Sequence, residues 1–172
     1  MHTYATTPPD RYRAMEGDAG LLRTLELFAG LPGPEIEELA DRFALTSVHP
    51  GQVLQAQGVP VRMWHVITCG HAVVQRDGMP IGLLGRGRSW SEHSILNGQP
   101  SSIEVVALSP LTLLTLSQRG FFELPDHHPV LAGRLVALAA FSPDRLAVPV
   151  FNALTESADT KCTGVRPGDR YD

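Results

Sequence analysis

The residues best suited to chemistry lie in one polar segment, residues 86–102, which interrupts a series of apolar runs. This segment is rich in small side chains, contains glycine, has room for a one-turn helix, and carries Glu92, His93 and Ser94 in succession. Those three residues do not make a catalytic triad, because a triad needs a specific arrangement in space that adjacency in the sequence does not indicate. A loop of about this length inside a compact β domain is usually functional. We therefore expect a binding site here, and no catalytic residues.

Histidines offer a second kind of chemistry, the binding of a metal ion. His65 and His71 lie around a pair of apolar runs, which raises the cupin enzymes as an alternative. Cupins hold a metal with two histidines at positions i and i+2 and a nearby glutamate, and this sequence has no His-x-His. His127 and His128 beside Asp126 could bind a metal, but adjacent histidines usually point apart, and a polar helix start explains them. We expect no metal site.

The elements that must position these residues are mostly β-strands. From Thr46 to Ser117 the hydrophobic period is two, with turn residues between short runs. Asp77-Gly78 is a good signal for a tight hairpin. This pattern indicates an antiparallel sandwich or barrel. The apolar runs span 52–57, 63–68, 72–75, 81–84, 103–108 and 111–116.

Helices flank the strands on both sides. A helical pattern begins at Gly20 and continues to Phe28, and a second helix begins at Pro34, a residue suited to a first helical position. Further helices are predicted at 117–124, 129–141 and, more weakly, 146–154.

The length of 172 residues fits one domain, on a prior of roughly 100–200 residues per domain. We divide the chain into a flexible N-terminal lead over 1–19, a β domain with flanking helices over 20–142, and a partly disordered C-terminal extension over 143–172.

Composition and charge exclude several classes of function. The 14 basic and 18 acidic residues give a net charge of -4, which is not typical of a nucleic-acid binder. No apolar run approaches the roughly 18–20 residues that span a bilayer, and the first residues lack a secretory signal. Cys69 and Cys162 are far apart in the sequence, which indicates free thiols in a reducing compartment. We expect a cytoplasmic protein with no nucleic-acid partner and no membrane insertion.

Six short segments, each weak alone, form a specific pattern together. They are LELFAGL at 25–31, ELA at 38–40, PGQVL at 50–54, QG at 57–58, HVITCGHAVV at 65–74 and HPVLA at 128–132. Their order and spacing resemble the cyclic-nucleotide-binding domain family, the sensor barrels of catabolite-activator type. The resemblance implies a mainly β fold with flanking helices, an eight-stranded antiparallel jelly-roll barrel.

The polar segment contains the stretch WSEHSILNGQPSSI at 90–103, which matches the length of that family's phosphate-binding cassette. The family pattern is aromatic-Gly-Glu-Leu-Ala-Leu-Leu, three residues, then Pro-Arg-small-Ala. The resemblance implies that backbone N–H groups of a short helix face a cyclic phosphate and that Glu92 accepts a hydrogen bond from the ribose 2′-hydroxyl. The binding residues so implied are Trp90, Ser91, Glu92, His93, Ser101 and Ser102.

Two positions depart from the family pattern. Ser91 replaces the glycine, and Ser101 replaces the arginine that grips the phosphate, a contact worth about 1.5–3 kcal/mol. Arg86 and Arg88 either turn inward as substitute cations or remain solvated loop residues. The ligands to consider are cyclic AMP, cyclic GMP and, if both arginines turn inward, cyclic di-GMP. Trp90 either plugs the barrel or stacks on a base.

These residues predict a regulatory or adaptor protein rather than an enzyme. Only 31 residues follow Phe141, too few for the DNA-binding output domain of many relatives. We therefore expect signalling by contact with another protein, with a homodimer as one form of that contact. The alternative is a degenerate barrel that binds no nucleotide and acts as an interaction or assembly scaffold, and a cupin-like enzyme comes third.

Overall fold

Two antiparallel sheets account for the alternating apolar pattern of the sequence. The computed structural model describes residues 15–16 and 18–141. The predictions for the start of the lead, for the helical stretch at 146–154 and for the C-terminal extension over 143–172 lie outside the described residues. In chain order the strands are β1 (Met15–Glu16), β2 (Ala44–Val48), β3 (Val53–Gln55), β4 (Met63–Cys69), β5 (Ala72–Arg76), β6 (Met79–Leu84), β7 (Ser89–Trp90), β8 (Glu104–Ala107) and β9 (Leu111–Ser117).

The order of the strands places the two ends of the polar segment on different sheets. The first sheet has the order β1-β2-β9-β4-β7, and the second has the order β3-β8-β5-β6. The polar segment leaves β7 in the first sheet and enters β8 in the second. It therefore crosses from one sheet to the other at the edge of the space between them.

The hairpin predicted at Asp77-Gly78 is confirmed. Arg76 pairs with Met79, so that Asp77 and Gly78 form a two-residue turn between β5 and β6. Both have positive φ, 52° and 76°, which suits a turn whose twist matches that of the flanking strands. The turn fixes the register of β5, and with it the side of the sheet on which each β5 residue lies.

Apolar side chains form two buried clusters, one on each face of the first sheet. The inner cluster lies between the two sheets and includes Ile67, Val74 and Ile103. The outer cluster lies between the first sheet and the helices and includes Trp64 and Leu131. Successive strand residues point to opposite faces, so the two clusters take alternate residues of β4.

Five α-helices and one 3-10 helix are present in the described residues. They are α1 (Ala19–Arg23), α2 (Gly33–Arg42), α3 (Glu92–Asn97), α4 (Gln118–His127), α5 (Pro129–Ala139) and the 3-10 helix Glu26–Phe28. The single helix expected from Gly20 to Phe28 is wrong, because Leu25 is extended (φ -100°, ψ 131°) and separates α1 from the 3-10 helix. The helix predicted at 117–124 extends three residues further, through Pro125.

The predicted fold class, mainly β with flanking helices, is confirmed. The strands of the expected eight-stranded antiparallel jelly roll form two sheets, and the described residues add a ninth strand. The additional strand is β1, which pairs with β2 and lies in the predicted flexible lead. Two residues are too few to reveal a period of two in a sequence.

Two further observations bear on location. No helix of residues 18–141 is long and apolar enough to cross a membrane. Cys69 is disulfide-bonded, so the expectation of a free thiol there is wrong, and Cys162 lies outside the described residues. Separation along the sequence does not decide cysteine pairing, because folding brings distant positions within bonding distance. The cytoplasmic location therefore remains a prediction without support from thiol chemistry.

Candidate functional site

Ser91 forms a strained turn between β7 and α3. Its backbone is left-handed, with φ 76° and ψ 6°, a conformation that costs a non-glycine residue about 1–2 kcal/mol. The residue is fully buried, and its Oγ has no hydrogen-bond partner within the part of the chain that the structure describes. Backbone strain and an unpaired buried hydroxyl are both costly, and they persist most often at functional sites. The turn is therefore a candidate ligand contact.

Glu92 begins α3 and is 1% exposed. Its Oε1 accepts a 2.9 Å hydrogen bond from Nε1 of Trp64, which is fully buried in the outer cluster. A carboxylate is buried at a tolerable cost only when hydrogen bonds compensate it. The indole of Trp64 therefore fixes the position of the Glu92 carboxylate where α3 meets the first sheet.

Trp90 and His65 form a stacked pair on the inner side of the first sheet. Their ring centroids are 5.0 Å apart, with an angle of 25° between the ring planes. Trp90 is fully buried in the inner cluster, which favours the interpretation of this residue as a plug between the sheets. Burial lowers the pKa of His65 from 6.5 to about 4, so that its ring is neutral at neutral pH.

Ser101, at the position of the family's arginine, makes local side-chain hydrogen bonds. It is 2% exposed. Its Oγ donates a 2.8 Å hydrogen bond to the carbonyl oxygen of Ile103 and accepts a 3.3 Å bond from the Ile103 N–H. The hydroxyl therefore stabilises the turn into β8.

Ser102 is held by an arginine from β5. Arg76 Nε donates to the Ser102 carbonyl oxygen at 3.3 Å, and Arg76 Nη2 donates to Ser102 Oγ, also at 3.3 Å. Ser102 and Arg76 are both partly buried. A guanidinium therefore lies beside the residue that the sequence predicts to approach the phosphate.

The two arginines considered as substitute cations lie in different surroundings. Arg86 donates from Nη1 to the carbonyl oxygen of Thr68 at 2.8 Å and from Nη2 to Oγ1 of Thr24. Arg86 thus links the first sheet to the end of α1, where its guanidinium stabilises the fold. Arg88 is exposed, as expected for a solvated loop arginine.

His93 belongs to the outer surface of α3. It is partly buried, and its carbonyl oxygen accepts a 2.8 Å hydrogen bond from Nδ2 of Asn97. The structure thus places Trp90, Ser91 and Glu92 at one end of the segment and Ser101 with Ser102 at the other, while Arg86 is engaged elsewhere.

A family model for the cyclic nucleotide-binding domain matches residues 45–128, which include the whole polar segment. Residues 45–128 form a cyclic nucleotide-binding domain. Acetyltransferase Pat of Mycolicibacterium smegmatis is 33% identical over 122 residues, covering 69% of this chain and 36% of the relative. The chain thus spans about a third of the length of that curated relative.

Solved structures agree with this membership. An arginine-to-lysine mutant of the cAMP-binding acyltransferase from Mycobacterium smegmatis is 31% identical, with a TM-score of 0.58, covering 70% of this chain and 39% of that one. The catabolite activator protein of Thermus thermophilus is 27% identical, with a TM-score of 0.61, covering 67% and 56%. Both TM-scores indicate a similar fold over the part of this cyclic nucleotide-binding domain that is matched.

Arg76 contacts the cassette of this cyclic nucleotide-binding domain, and the sequence did not predict that contact. Arg86 and Arg88 were predicted instead because they directly precede the cassette in the sequence. The available signal was the period of two in β5, which places Arg76 on the same face as the buried Ala72 and Val74.

The two adjacent histidines of the cyclic nucleotide-binding domain have different environments. His127 is exposed, whereas His128 is fully buried with Nδ1 3.2 Å from Oε1 of Glu35 on α2. His128 thus connects the junction of α4 and α5 to α2. Residues 18–141 contain no group of three or more histidine, cysteine or acidic side chains that could hold a metal ion.

Proposed function

We propose that this chain is a regulatory domain that binds a cyclic mononucleotide, with cyclic AMP as the first candidate, and acts by contact with an effector protein. The observation that carries the proposal is the family match over residues 45–128, together with the relative at 31% identity that is described as cAMP-binding. We also propose that the chain itself is not an enzyme.

The site supports this proposal through the two ends of the cassette. Glu92 is an oriented, buried carboxylate suited to accept a hydrogen bond from the ribose 2′-hydroxyl. Ser91 supplies a buried hydroxyl that has no partner among the described residues, and Ser102 lies at the far end of the cassette. These groups would contact the sugar and the phosphate of one ligand at the two ends of the cassette.

A path for regulation leads from the cassette to α5. Ile95 of α3 packs in the outer cluster with Leu131 and Leu135 of α5. Arg134 of α5 donates 2.7 Å hydrogen bonds to the carbonyl oxygens of Leu27 and Ala29, at the 3-10 helix. A ligand that shifts α3 would therefore shift α5 and the 3-10 helix against each other, and this would change the surface offered to an effector. Acetyltransferase Pat suggests an acyltransferase domain as the first effector to test.

A second candidate is a scaffold that binds no nucleotide, with the homodimer as one form of assembly. It is favoured by Ser101, whose hydroxyl is engaged with Ile103 where the family pattern has a phosphate-binding arginine. The two candidates differ in one measurable property, which is the affinity for cyclic nucleotides.

Isothermal calorimetry and thermal shift of the purified protein with cyclic AMP, cyclic GMP and cyclic di-GMP decide between them. We expect cyclic AMP to bind and to raise the melting temperature. Glu92→Gln keeps an oxygen acceptor for Trp64 but removes the charge, and it should weaken cyclic AMP binding about 5- to 10-fold. Glu37→Gln, at an exposed carboxylate on α2, is the matched control. No heat and no thermal shift at millimolar ligand would leave the scaffold as the function.

A further inference from the structure

We propose that His128 forms a proton-dependent link between α2 and the junction of α4 and α5. The neutral ring donates a hydrogen bond to one carboxylate of α2, and the protonated ring donates to two. The link lies outside the cassette, so it goes beyond the proposed binding of a nucleotide and does not depend on it.

His128 is the single residue between two helices, because α4 ends at His127 and α5 begins at Pro129. Its backbone is bonded to both helices. Its N–H donates to the carbonyl oxygen of Leu124 at 2.6 Å, and its carbonyl oxygen accepts a 2.9 Å bond from the Ala132 N–H. A contact that fixes His128 therefore fixes the direction in which α5 leaves α4.

Both ring nitrogens of His128 face carboxylates of α2. Nδ1 is 3.2 Å from Oε1 of Glu35, and Nε2 is 3.6 Å from Oε1 of Glu38. The side chain is fully buried, and Nε2 has no hydrogen-bond partner among the described residues. A neutral imidazole has one N–H and a carboxylate only accepts, so a neutral ring donates to one glutamate. These distances fit a hydrogen on Nδ1, and a proton added at Nε2 would face Glu38.

The second carboxylate belongs to a charge network that reaches α4. Oε1 of Glu38 also accepts a 3.3 Å hydrogen bond from Nη2 of Arg42. Nη1 of Arg42 is 3.7 Å from Oε2 of Glu123 on α4. A proton on His128 would therefore add a contact between the helix junction and a network that already connects α2 to α4.

Other titratable groups near the junction are exposed or engaged elsewhere. The ring of His127 has its centroid 6.4 Å from that of His128, and both His127 and Asp126 are exposed on α4. The charged residue of α5 is Arg134, which is bonded to carbonyl oxygens at the 3-10 helix. Histidine is the side chain whose ordinary charge change falls between pH 5 and 8. The link should therefore respond to pH in this interval through His128.

Hydrogen exchange of two amides measures the link in the protein without nucleotide. The amides of His128 and Ala132 close the junction, and their protection factors, corrected for the intrinsic rate at each pH, are compared at pH 8 and pH 6. Wild-type protection should rise about 2- to 5-fold at pH 6, as expected for a partly exposed ion pair. His128→Gln should show no rise, and Glu38→Gln should show a smaller one. The matched controls His127→Gln and Glu37→Gln change exposed neighbours on the same helices and should respond as the wild type does.

Three results would overturn the link. The first is wild-type protection that does not rise at pH 6, and the second is a full rise in His128→Gln, which would assign the response to another group. The third is an equal rise in Glu38→Gln and Glu37→Gln, which would remove Glu38 as the second partner. If His128→Gln does not fold, this last comparison decides, because both glutamates are exposed. Cyclic AMP is absent throughout, so none of these results bears on the proposed function.

Discussion

The indole Nε1 of Trp64 donates a 2.9 Å hydrogen bond to Oε1 of Glu92, and both residues are buried. This bond connects β4 of the first sheet to the first turn of the cassette helix. Glu92, the residue proposed to bind the ribose, is therefore positioned by a core residue. The geometry of the site consequently depends on the packing of the outer cluster.

Trp64→Phe should destabilise the protein by more than the loss of ring volume, because Glu92 loses this donor while remaining buried. A buried hydrogen bond to a charged group contributes about 1.5–3 kcal/mol. A double-mutant cycle with Glu92→Ala, measured by urea unfolding, isolates the pairwise free energy. Additive effects of the two substitutions would mean that the hydrogen bond contributes nothing to folding.

The sequence predicted the architecture well wherever a pattern extends over several residues. The strands around Trp64, Val73 and Leu113 were located from their period of two, and the Asp77-Gly78 turn from its residue types. The two-residue strand β1 and the extended Leu25 were missed, because tertiary pairing and packing determine such short features.

The candidate site was predicted less completely than the fold. Motif length located Glu92 and Ser101, but a linear motif cannot show which distant residue contacts it. Arg76 is separated from Ser102 by 26 positions in the sequence, and only the pairing of β5 with β8 brings them together. The hydrogen bonds of Arg86 to Thr68 and Thr24 are likewise a product of tertiary structure.

His65 should make the protein less stable as the pH falls from 6.5 to 4. Burial lowers its pKa from 6.5 to about 4, so within this interval the unfolded chain binds a proton that the folded chain does not. The contribution of neutral His65 to the free energy of unfolding is fully present above pH 6.5 and is lost towards pH 4. The loss of stability has a limit of about 3 kcal/mol.

The comparison of wild type with His65→Phe tests this pH dependence. The phenylalanine keeps a ring against Trp90 and cannot titrate, so its free energy of unfolding should vary less between pH 6.5 and 4. Urea unfolding at several pH values measures both proteins. Identical pH profiles would show that other groups cause the loss of stability.

Arg134→Ala should loosen the 3-10 helix Glu26–Phe28 from α5. The substitution removes two 2.7 Å hydrogen bonds to the carbonyl oxygens of Leu27 and Ala29, which are partly screened by solvent, and should cost about 1–3 kcal/mol. Hydrogen exchange of the Phe28, Ala29 and Leu31 amides should accelerate. The control is Arg119→Ala, at an exposed ion pair on α4, which should leave this exchange unchanged. Equal exchange in both variants would contradict a role for Arg134 in this coupling.

Ser91→Gly should stabilise the protein, although most substitutions of buried residues destabilise. Glycine adopts the observed φ of 76° without the steric cost that serine bears, and the change also removes a buried hydroxyl that lacks a partner. Glycine has greater conformational entropy in the unfolded chain, which offsets part of this benefit. We expect a net increase of about 1 kcal/mol in the free energy of unfolding. Ser91→Ala separates the two causes, because alanine removes the hydroxyl but keeps the strained Cβ. Thermal and urea unfolding of the three proteins should rank glycine as the most stable, and a Ser91→Gly protein less stable than wild type would show that the hydroxyl has a structural role.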